Sequence, residues 1–211
     1  MELLEAIRTR RSVKQFDPNH EITDEELRFL FEHAALSPSS FNMQNWRFVA
    51  VRDKALKEKL KEASWGQAQV ADASVCIVIS GDLKAHEDCS RYLRNAPPEV
   101  REALEPMIKG FYDGHPDRIM QEACRSVGIV SMAIMLLARE MDYHSCPMIG
   151  FDPRKVSEIV GLDEDHPPLM MVVIGKALAP ARPRMGLLSL EELVSIDRFG
   201  NHPLRGEIPE D

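Results

Sequence analysis

The sequence feature that most constrains the fold is a long helical pattern at residues 117–141. Its middle, from Val127 to Ala138, is apolar on nearly every side, and such a helix needs packing partners around most of its circumference. We therefore expect it in the centre of a domain or across a subunit interface. Arg125 and Arg139 close the apolar run. The run is shorter than the roughly 20 residues that a membrane span requires, so no membrane association is predicted.

Three segments have the patterns of β-strands. Residues 47–52 form an alternating strand, which is typical of a strand with one covered face. Residues 75–79 and 169–175 are continuously apolar, which is typical of buried strands. A fourth extended piece, residues 143–151, is interrupted by a proline and a glycine.

Helix starts are marked by side chains that accept hydrogen bonds from free backbone N–H groups. Thr23 with Glu26, and Ser189 with Glu192, have the spacing of a capping box. Asp152 precedes a proline and is predicted to cap a further helix.

The length of 211 residues fits one globular domain, residues 1–211, with a helical excursion at about residues 82–116 and an extended tail from about residue 199. A net charge of -8 and a pI of 5.4 argue against general affinity for nucleic acid or anionic lipid. The acidic N-terminus lacks the basic start and cleavage site of a signal peptide, which predicts a cytoplasmic protein.

Several classes of catalytic chemistry lack their motif in this chain. No Gly-x-Gly-x-x-Gly, Gly-Lys-Ser or Gly-x-Ser-x-Gly segment occurs, and no His-x-x-x-His pair. The four cysteines are far apart, so we expect buried, reduced thiols and neither a zinc site nor a redox dithiol. With no metal and no catalytic side chain indicated, the sequence suits a protein whose bound cofactor carries the reaction.

Positive charge is concentrated close to the N-terminus. Arg10, Arg11, Ser12 and Lys14 combine guanidinium, ammonium and hydroxyl donors that suit a phosphate. Two interpretations remain open: a phosphate pocket, or a solvated helix end where the basic side chains complement the dipole of a helix over residues 2–9. That helix places three apolar residues on one face, namely Leu3, Leu4 and Ile7.

A dense polar loop covers residues 37–46. Its hydroxyl and amide side chains could hydrogen-bond a polyol or a heterocycle, while Phe41 and Trp46 offer flat apolar surface beside them. Ordinary turn chemistry between a helix and a strand explains the same composition, and both interpretations stay open.

In order and spacing, these segments resemble the nitroreductase family of FMN-dependent oxidoreductases over nearly the whole chain. Residues 10–14 look like that family's FMN motif, and residues 37–46 are similar to its Pro-Ser-x-x-Asn-x-Gln-x-Trp signature. Residues 147–151 resemble the segment that lies along the flavin ring. The resemblance implies an α+β fold in which helices flank a central, mostly antiparallel sheet.

The resemblance also implies which residues contact FMN. The basic run and a C-terminal arginine are expected at the phosphate, the glutamines at the pyrimidine edge, and the polar loop at the ring from the other subunit. The expected contacts are Arg10, Arg11, Ser12, Lys14, Pro38, Ser39, Ser40, Asn42, Gln44, Gln67, Gln69, Pro147, Met148, Ile149, Gly150, and Arg182 or Arg184.

The implied activity is hydride transfer from NADH or NADPH through flavin N5 to a nitroaromatic, a quinone or a similar small electron-poor acceptor by a ping-pong mechanism. The implied partner is a second copy of the chain, in a homodimer with the flavin at the interface. Asn45 stands where many members have proline, and Ile149 where some have glutamate, which puts substrate preference in question. Dehalogenation, ene reduction and flavin breakdown are alternative reactions, and a non-enzymatic nucleotide-binding protein is a further alternative.

Overall fold

The computed structural model describes residues 2–209. The helices are α1 (Leu3–Thr9), α2 (Asp24–Ala34), α3 (Lys54–Ala63), α4 (Gln69–Asp72), α5 (Pro98–Tyr112), α6 (Pro116–Glu140), α7 (Pro153–Val160) and α8 (Leu190–Leu193). The strands are β1 (Trp46–Val51), β2 (Val75–Gly81), β3 (His144–Met148) and β4 (Pro168–Gly175). The chain also has short 3-10 turns at Ser40–Asn42, Ala85–Glu87 and Cys89–Arg91.

The strands form one sheet in the order β1-β2-β4-β3, and each neighbouring pair is antiparallel. Every residue of the central strand β2 is buried, as its continuous apolar sequence predicts. Helices cover both faces of the sheet. The predicted α+β class with an antiparallel central sheet is therefore confirmed.

Alternate residues of β2 serve two separate cores, because successive side chains of a strand point to opposite faces. Ile77 and Ile79 belong to the cluster that packs under α2 and α6. Cys76 and Val78 belong to the cluster under α3 and α7. The sheet is thus the middle layer of three.

Helix α6 lies against the sheet, which agrees with its expected place in the centre of the domain. Val127 and Ile134 are buried on its inner side. Gly81 of β2 allows the close approach, since an added Cβ there would lie 2.7 Å from the Cβ of Ala123.

Helix α6 is also longer than its apolar middle. It has 25 residues and contains an 18-residue window with a mean hydropathy of 1.3, so it is long and apolar enough to cross a membrane by length and composition alone. The apolar run at residues 127–138 is too short to span a membrane, as expected, but the whole helix is long enough. Core helices of soluble proteins pass the same test, and here α6 packs against all four strands of the sheet.

The excursion, residues 82–116, leaves the sheet after β2 and contains α5. It has a small apolar cluster of its own, in which Ile108 and Tyr112 of α5 meet Leu93. Met43, from the polar loop before β1, joins this cluster. The loop is therefore packed on the excursion of its own chain.

The predicted helix caps are present. Thr23 Oγ1 accepts a hydrogen bond from the Glu26 backbone N–H (3.1 Å), and the Glu26 carboxylate accepts one from the Thr23 N–H (2.8 Å). Ser189 and Glu192 form a second capping box. Asp152 Oδ1 accepts hydrogen bonds from two N–H groups in the first turn of α7.

Two expectations about burial were wrong or incomplete. Cys124, on α6, is exposed, whereas the other three cysteines are buried as expected. The shared apolar face of α1 exists, but its members are exposed, and Ala6 is the residue that α1 buries. The exposed members are Leu3, Leu4 and Ile7.

After β4 the chain runs over the surface as far as residue 209. Residues 199–209 form neither helix nor strand. The tail folds back on itself, because the Leu190 N–H donates to the Gly206 carbonyl (3.0 Å) and the Ile196 N–H to the Asn201 carbonyl (2.9 Å). Met185 and Phe199 are fully exposed.

Candidate functional site

The basic run is fixed in place by the edge of the sheet. Ser12 forms a parallel bridge with Ser145 of β3, and the Val13 N–H donates to the Ser145 carbonyl (3.1 Å). Val13 and Phe16 are buried. Because side chains alternate along an extended segment, Ser12 and Lys14 are turned to the other side, towards an open cleft.

This cleft, which we call the basic cleft, has a volume of about 670 Å³. It combines residues from both ends of the chain with the segment around α4. Its lining residues are Arg10, Arg11, Ser12, Lys14, Gln67, Gln69, Arg182, Pro183, Arg184, Met185, Gly186 and Leu187. Eight of the residues predicted from the sequence, including both candidate C-terminal arginines, therefore lie around one cavity.

The charge of the basic cleft is unbalanced, since its lining contains five cationic side chains and no carboxylate. Burial lowers the pKa of Arg10, and the nearby guanidiniums of Arg184 and Arg11 lower it further. Within residues 2–209, the Arg10 guanidinium makes no hydrogen bond or ion pair. A half-buried cation among like charges is unfavourable unless an anion joins it.

Arg11 and Arg10 have different roles at the end of α1. The Arg11 guanidinium donates to the carbonyls of Arg8 and Arg10, so the helix-end interpretation applies to this side chain. Arg184 also reaches the Arg8 carbonyl (3.4 Å). Arg10 lines the cleft, which is compatible with the interpretation as an anion pocket, and that interpretation stays a prediction.

Two glutamine side chains connect the basic cleft to the end of β3. Gln67 Nε2 donates to the Gly150 carbonyl (2.9 Å), and Gln69 Nε2 donates to Gln67 Oε1 (2.9 Å) and lies 3.7 Å from Met148 Sδ. These bonds leave one N–H of Gln67 and the carbonyl oxygen of Gln69 unused. The pair thus presents one donor and one acceptor.

Of the predicted segment 147–150, no residue lines the basic cleft. Its contact with the cleft runs through the two glutamines. Met148 is buried, whereas Ile149 is 75% exposed. Gly150 fits closely, because an added Cβ would lie 3.0 Å from the Trp65 ring.

The predicted loop residues Pro38, Ser39, Ser40, Asn42 and Gln44 are not brought to the basic cleft of their own chain. Tyr112 Oη donates to Ser40 Oγ (2.9 Å), and Asn42 Nδ2 donates to the Tyr92 carbonyl (3.1 Å), so the loop is attached to the excursion. Ser39 Oγ accepts from the Gln44 N–H (2.9 Å), which is the turn chemistry that the sequence also allowed.

The backbone of this loop is strained. Phe41, Asn42 and Gln44 have φ angles of 51°, 60° and 47°, in the left-handed region that non-glycine residues rarely adopt. Such strain persists only where surrounding contacts hold it, and it is concentrated at functional sites. The contacts of Asn42 with Tyr92 and of Ser40 with Tyr112 hold the loop in this conformation.

A second cavity, the excursion cleft, lies between this loop and the excursion and has a volume of about 820 Å³. It shares no lining residue with the basic cleft. Its lining includes Arg47, Arg91 and Arg94, which sequence reasoning missed. The wall of the basic cleft formed by residues 185–187 was also missed, since no motif marks it. The sequence did contain a signal for the excursion cleft, because Arg47 follows Trp46 and Arg91 precedes Tyr92.

Comparison with known proteins gives consistent results. The sequence profile described as the nitroreductase family matches residues 7–176. DrgA of Synechocystis sp. is 48% identical over 177 residues, which cover 83% of this chain and 84% of that protein. MhqN of Bacillus subtilis, named as an NAD(P)H nitroreductase, is 34% identical over 188 residues, covering 86% and 91%. A protein from Exiguobacterium sibiricum, described as a nitroreductase and solved in complex with FMN, has a TM-score of 0.86 and 31% identity, covering 92% and 97%.

Proposed function

The chain belongs to the nitroreductase family, and from that premise we propose that its basic cleft is the FMN site of an NAD(P)H-dependent oxidoreductase. The observation that carries the proposal is the convergence of Arg10, Ser12 and Arg184 on one cavity that lacks a carboxylate. The relatives named above support FMN as cofactor and NADH or NADPH as electron donor.

The residues of the basic cleft fit the chemistry of FMN. Arg10 and Arg184 supply guanidinium donors for a phosphate, and Ser12 adds a neutral donor. The phosphate charge would offset the burial and the repulsion from Arg184 and Arg11 that lower the pKa of Arg10. A volume of about 670 Å³ lies within the range for cofactor pockets.

The glutamine side chains of the cleft suit a pyrimidine edge. Gln67 offers an N–H and Gln69 a carbonyl oxygen, which match a ring edge that both accepts and donates hydrogen bonds. Lys14 brings a positive charge to the same cavity. Donors and a cation at this edge stabilise negative charge that develops on a reduced ring.

FMN, when bound, would supply the redox chemistry, namely hydride transfer through its N5 from NADH or NADPH to a second substrate in a ping-pong cycle. The chain's own residues bind and orient the cofactor, and no side-chain nucleophile is required. We propose nitroaromatics, quinones and similar electron-poor compounds as acceptors. The exposed side chain of Ile149 offers them an apolar surface beside Gly150.

We further propose a cytoplasmic homodimer in which each polar loop completes the partner's flavin site. Two observations support this arrangement. The loop is attached to the excursion, away from the basic cleft of its own chain. Apolar side chains of α1 and of the tail, such as Leu3 and Phe199, lack cover within one protomer.

The proposed activity is tested by visible absorption spectra of the purified protein under anaerobic conditions. FMN bound to the protein should be bleached by NADH or NADPH and recover on addition of a nitroaromatic or a quinone. Protein that stays colourless after incubation with FMN would refute the cofactor assignment. A flavin spectrum that neither nucleotide bleaches would refute the hydride transfer alone.

A further inference from the structure

The excursion cleft carries positive charge that the proposed function does not use. Its lining contains Arg47, Arg91 and Arg94 and no aspartate or glutamate. The whole chain has a net charge of -8, so this positive charge is local. A cleft lined by one sign of charge concentrates ligands of the opposite sign.

Arg47 belongs to the framework of the cleft. Its guanidinium donates to the carbonyls of Gln44 (2.9 Å) and Trp46 (2.7 Å) and to the carboxylate of Asp82, which is almost fully buried. Burial lowers the pKa of Arg47, Asp82 opposes that shift, and Arg91 adds to it. The negative charge of Asp82 therefore neutralises mainly that of Arg47 and less that of Arg91.

The positive charges of Arg91 and Arg94 are largely not neutralised by carboxylates in the described part of the chain. Arg91 Nη1 lies 3.8 Å from the same Asp82 oxygen, a long contact, and its side chain is 57% exposed. The other oxygen of Asp82 accepts the Lys84 N–H (3.0 Å). The exposed side chain of Arg94 donates to no acceptor in the described part of the chain. Two cations thus face the cleft with one carboxylate that is already engaged.

The rest of the wall is mostly apolar and aromatic, and its polar members are the amide side chains of Asn42, Gln44 and Asn95. Trp46, Phe48 and Leu93 line the cleft together with Tyr92. Tyr92 is held at both ends, since its hydroxyl donates to Cys89 Sγ (3.3 Å) and its carbonyl accepts from Asn42. Flat apolar walls of this kind suit a planar conjugated ligand.

We propose that the excursion cleft binds the negatively charged group, a carboxylate or a phosphate, of a planar conjugated reactant, with Arg91 and Arg94 as its charge-reading residues. The inference rests on the proposed function, because there the polar loop beside this cleft reaches the partner's flavin. Either reactant can carry such a group: an acidic electron acceptor, or the nicotinamide nucleotide through its phosphates.

The test uses the double variant Arg91→Gln/Arg94→Gln of the full chain, loaded with FMN. The matched control is Arg28→Gln, which removes an exposed arginine of α2 whose side chain is 77% exposed. Steady-state kinetics compare 4-nitrobenzoate with the neutral 4-nitrobenzyl alcohol and NADPH with NADH. Equilibrium dialysis without electron donor measures binding of both nitro compounds and of NADP⁺, so that this readout does not depend on turnover.

If the two arginines bind an anionic group of the electron acceptor, kcat/KM and affinity for 4-nitrobenzoate should fall about five- to tenfold in the double variant. The same quantities for the neutral 4-nitrobenzyl alcohol should stay unchanged. If the nucleotide carries the anionic group, NADP⁺ affinity and kcat/KM for NADPH should fall by a similar factor. Either selective loss supports the inference, and it should shrink as salt rises to about 0.15 M because of screening.

Equal effects on the charged and neutral acceptors, with nucleotide binding unchanged, would refute the inference and point to a structural role for the arginines. Unchanged affinity for every probe would refute it as well. Failure of the proposed function is distinguishable: a wild-type protein that binds no FMN, or that NAD(P)H never reduces, refutes that function, while dialysis still decides the role of the cleft.

Discussion

Replacement of Arg10 by glutamine tests the central electrostatic argument. Among residues 2–209 this guanidinium has no protein acceptor, and its pKa is lowered by burial and by two neighbouring arginines. If Arg10 binds the phosphate as proposed, the substitution removes one charge-assisted hydrogen bond, which is worth roughly 1.5–3 kcal/mol. The dissociation constant of FMN should therefore rise about 10- to 150-fold.

The same substitution should not weaken the protein without cofactor. It removes a half-buried cation from a group of like charges, so the melting temperature of the apoprotein should stay unchanged or increase. Loss of FMN affinity together with an undiminished apoprotein stability is what a ligand-binding residue, as opposed to a structural one, produces.

The assay is titration of FMN followed by quenching of its fluorescence. Riboflavin, which lacks the phosphate, should bind equally well to the wild type and to Arg10→Gln. Arg8→Gln is the matched control, because Arg8 lies two residues earlier and does not line the basic cleft. Unchanged FMN affinity in Arg10→Gln, or an equal loss for riboflavin, would show that Arg10 does not bind the phosphate.

Three further predictions concern the fold and the assembly. Gly81→Ala should destabilise the protein by roughly 1–3 kcal/mol in denaturant unfolding, because its Cβ would lie 2.7 Å from that of Ala123. Gly128→Ala, on the same helix as Ala123 with nothing within 4 Å of the new Cβ, should instead stabilise it by about 0.5–1 kcal/mol, and similar values for the two variants would contradict the packing. Burial raises the pKa of Glu26, but hydrogen bonds from Thr23 and Tyr143 outweigh it and leave that pKa below its usual value. The ionised Glu26 side chain therefore stabilises the fold above the unfolded-state pKa, and this stabilisation is lost as pH falls through the folded-state pKa. Thermal melts at graded pH should show a smaller loss of stability below about pH 4.5 in Glu26→Gln than in the wild type. An equal dependence of stability on pH in both proteins would contradict this role of Glu26. Dilution that dissociates the proposed dimer should release FMN in step, as followed by sedimentation velocity at the flavin wavelength, and a monomer that retains FMN would disprove the shared site.

The sequence predicted best what short-range chemistry determines. The caps at Thr23 and Ser189 formed as expected, since a cap depends on residues three positions apart. The buried strands were recognisable because burial on both faces requires an unbroken apolar run. The class of sheet and the family followed from the resemblance, and both are confirmed.

Other features depend on contacts between distant parts of the chain and left no local signal. The placement of Arg10 and Arg184 around one cavity was expected only from the resemblance. Attachment of the polar loop to Tyr92 and Tyr112 was not predicted, because it depends on how the excursion folds. Periodicity indicated a face on α1 but not whether that face is covered, and the exposure of Cys124 on α6 has the same origin.

The position of Ser12 beside β3 has a consequence for handling the protein. β3 is an outer strand, and the segment that carries Ser12 bonds to its free side and so occupies positions where a foreign polypeptide could otherwise attach. Removing the first fifteen residues would take away Arg10 and Ser12, two of the proposed phosphate ligands, and uncover that strand in one step. Such a truncated product should accumulate as insoluble material instead of as a soluble, cofactor-free protein.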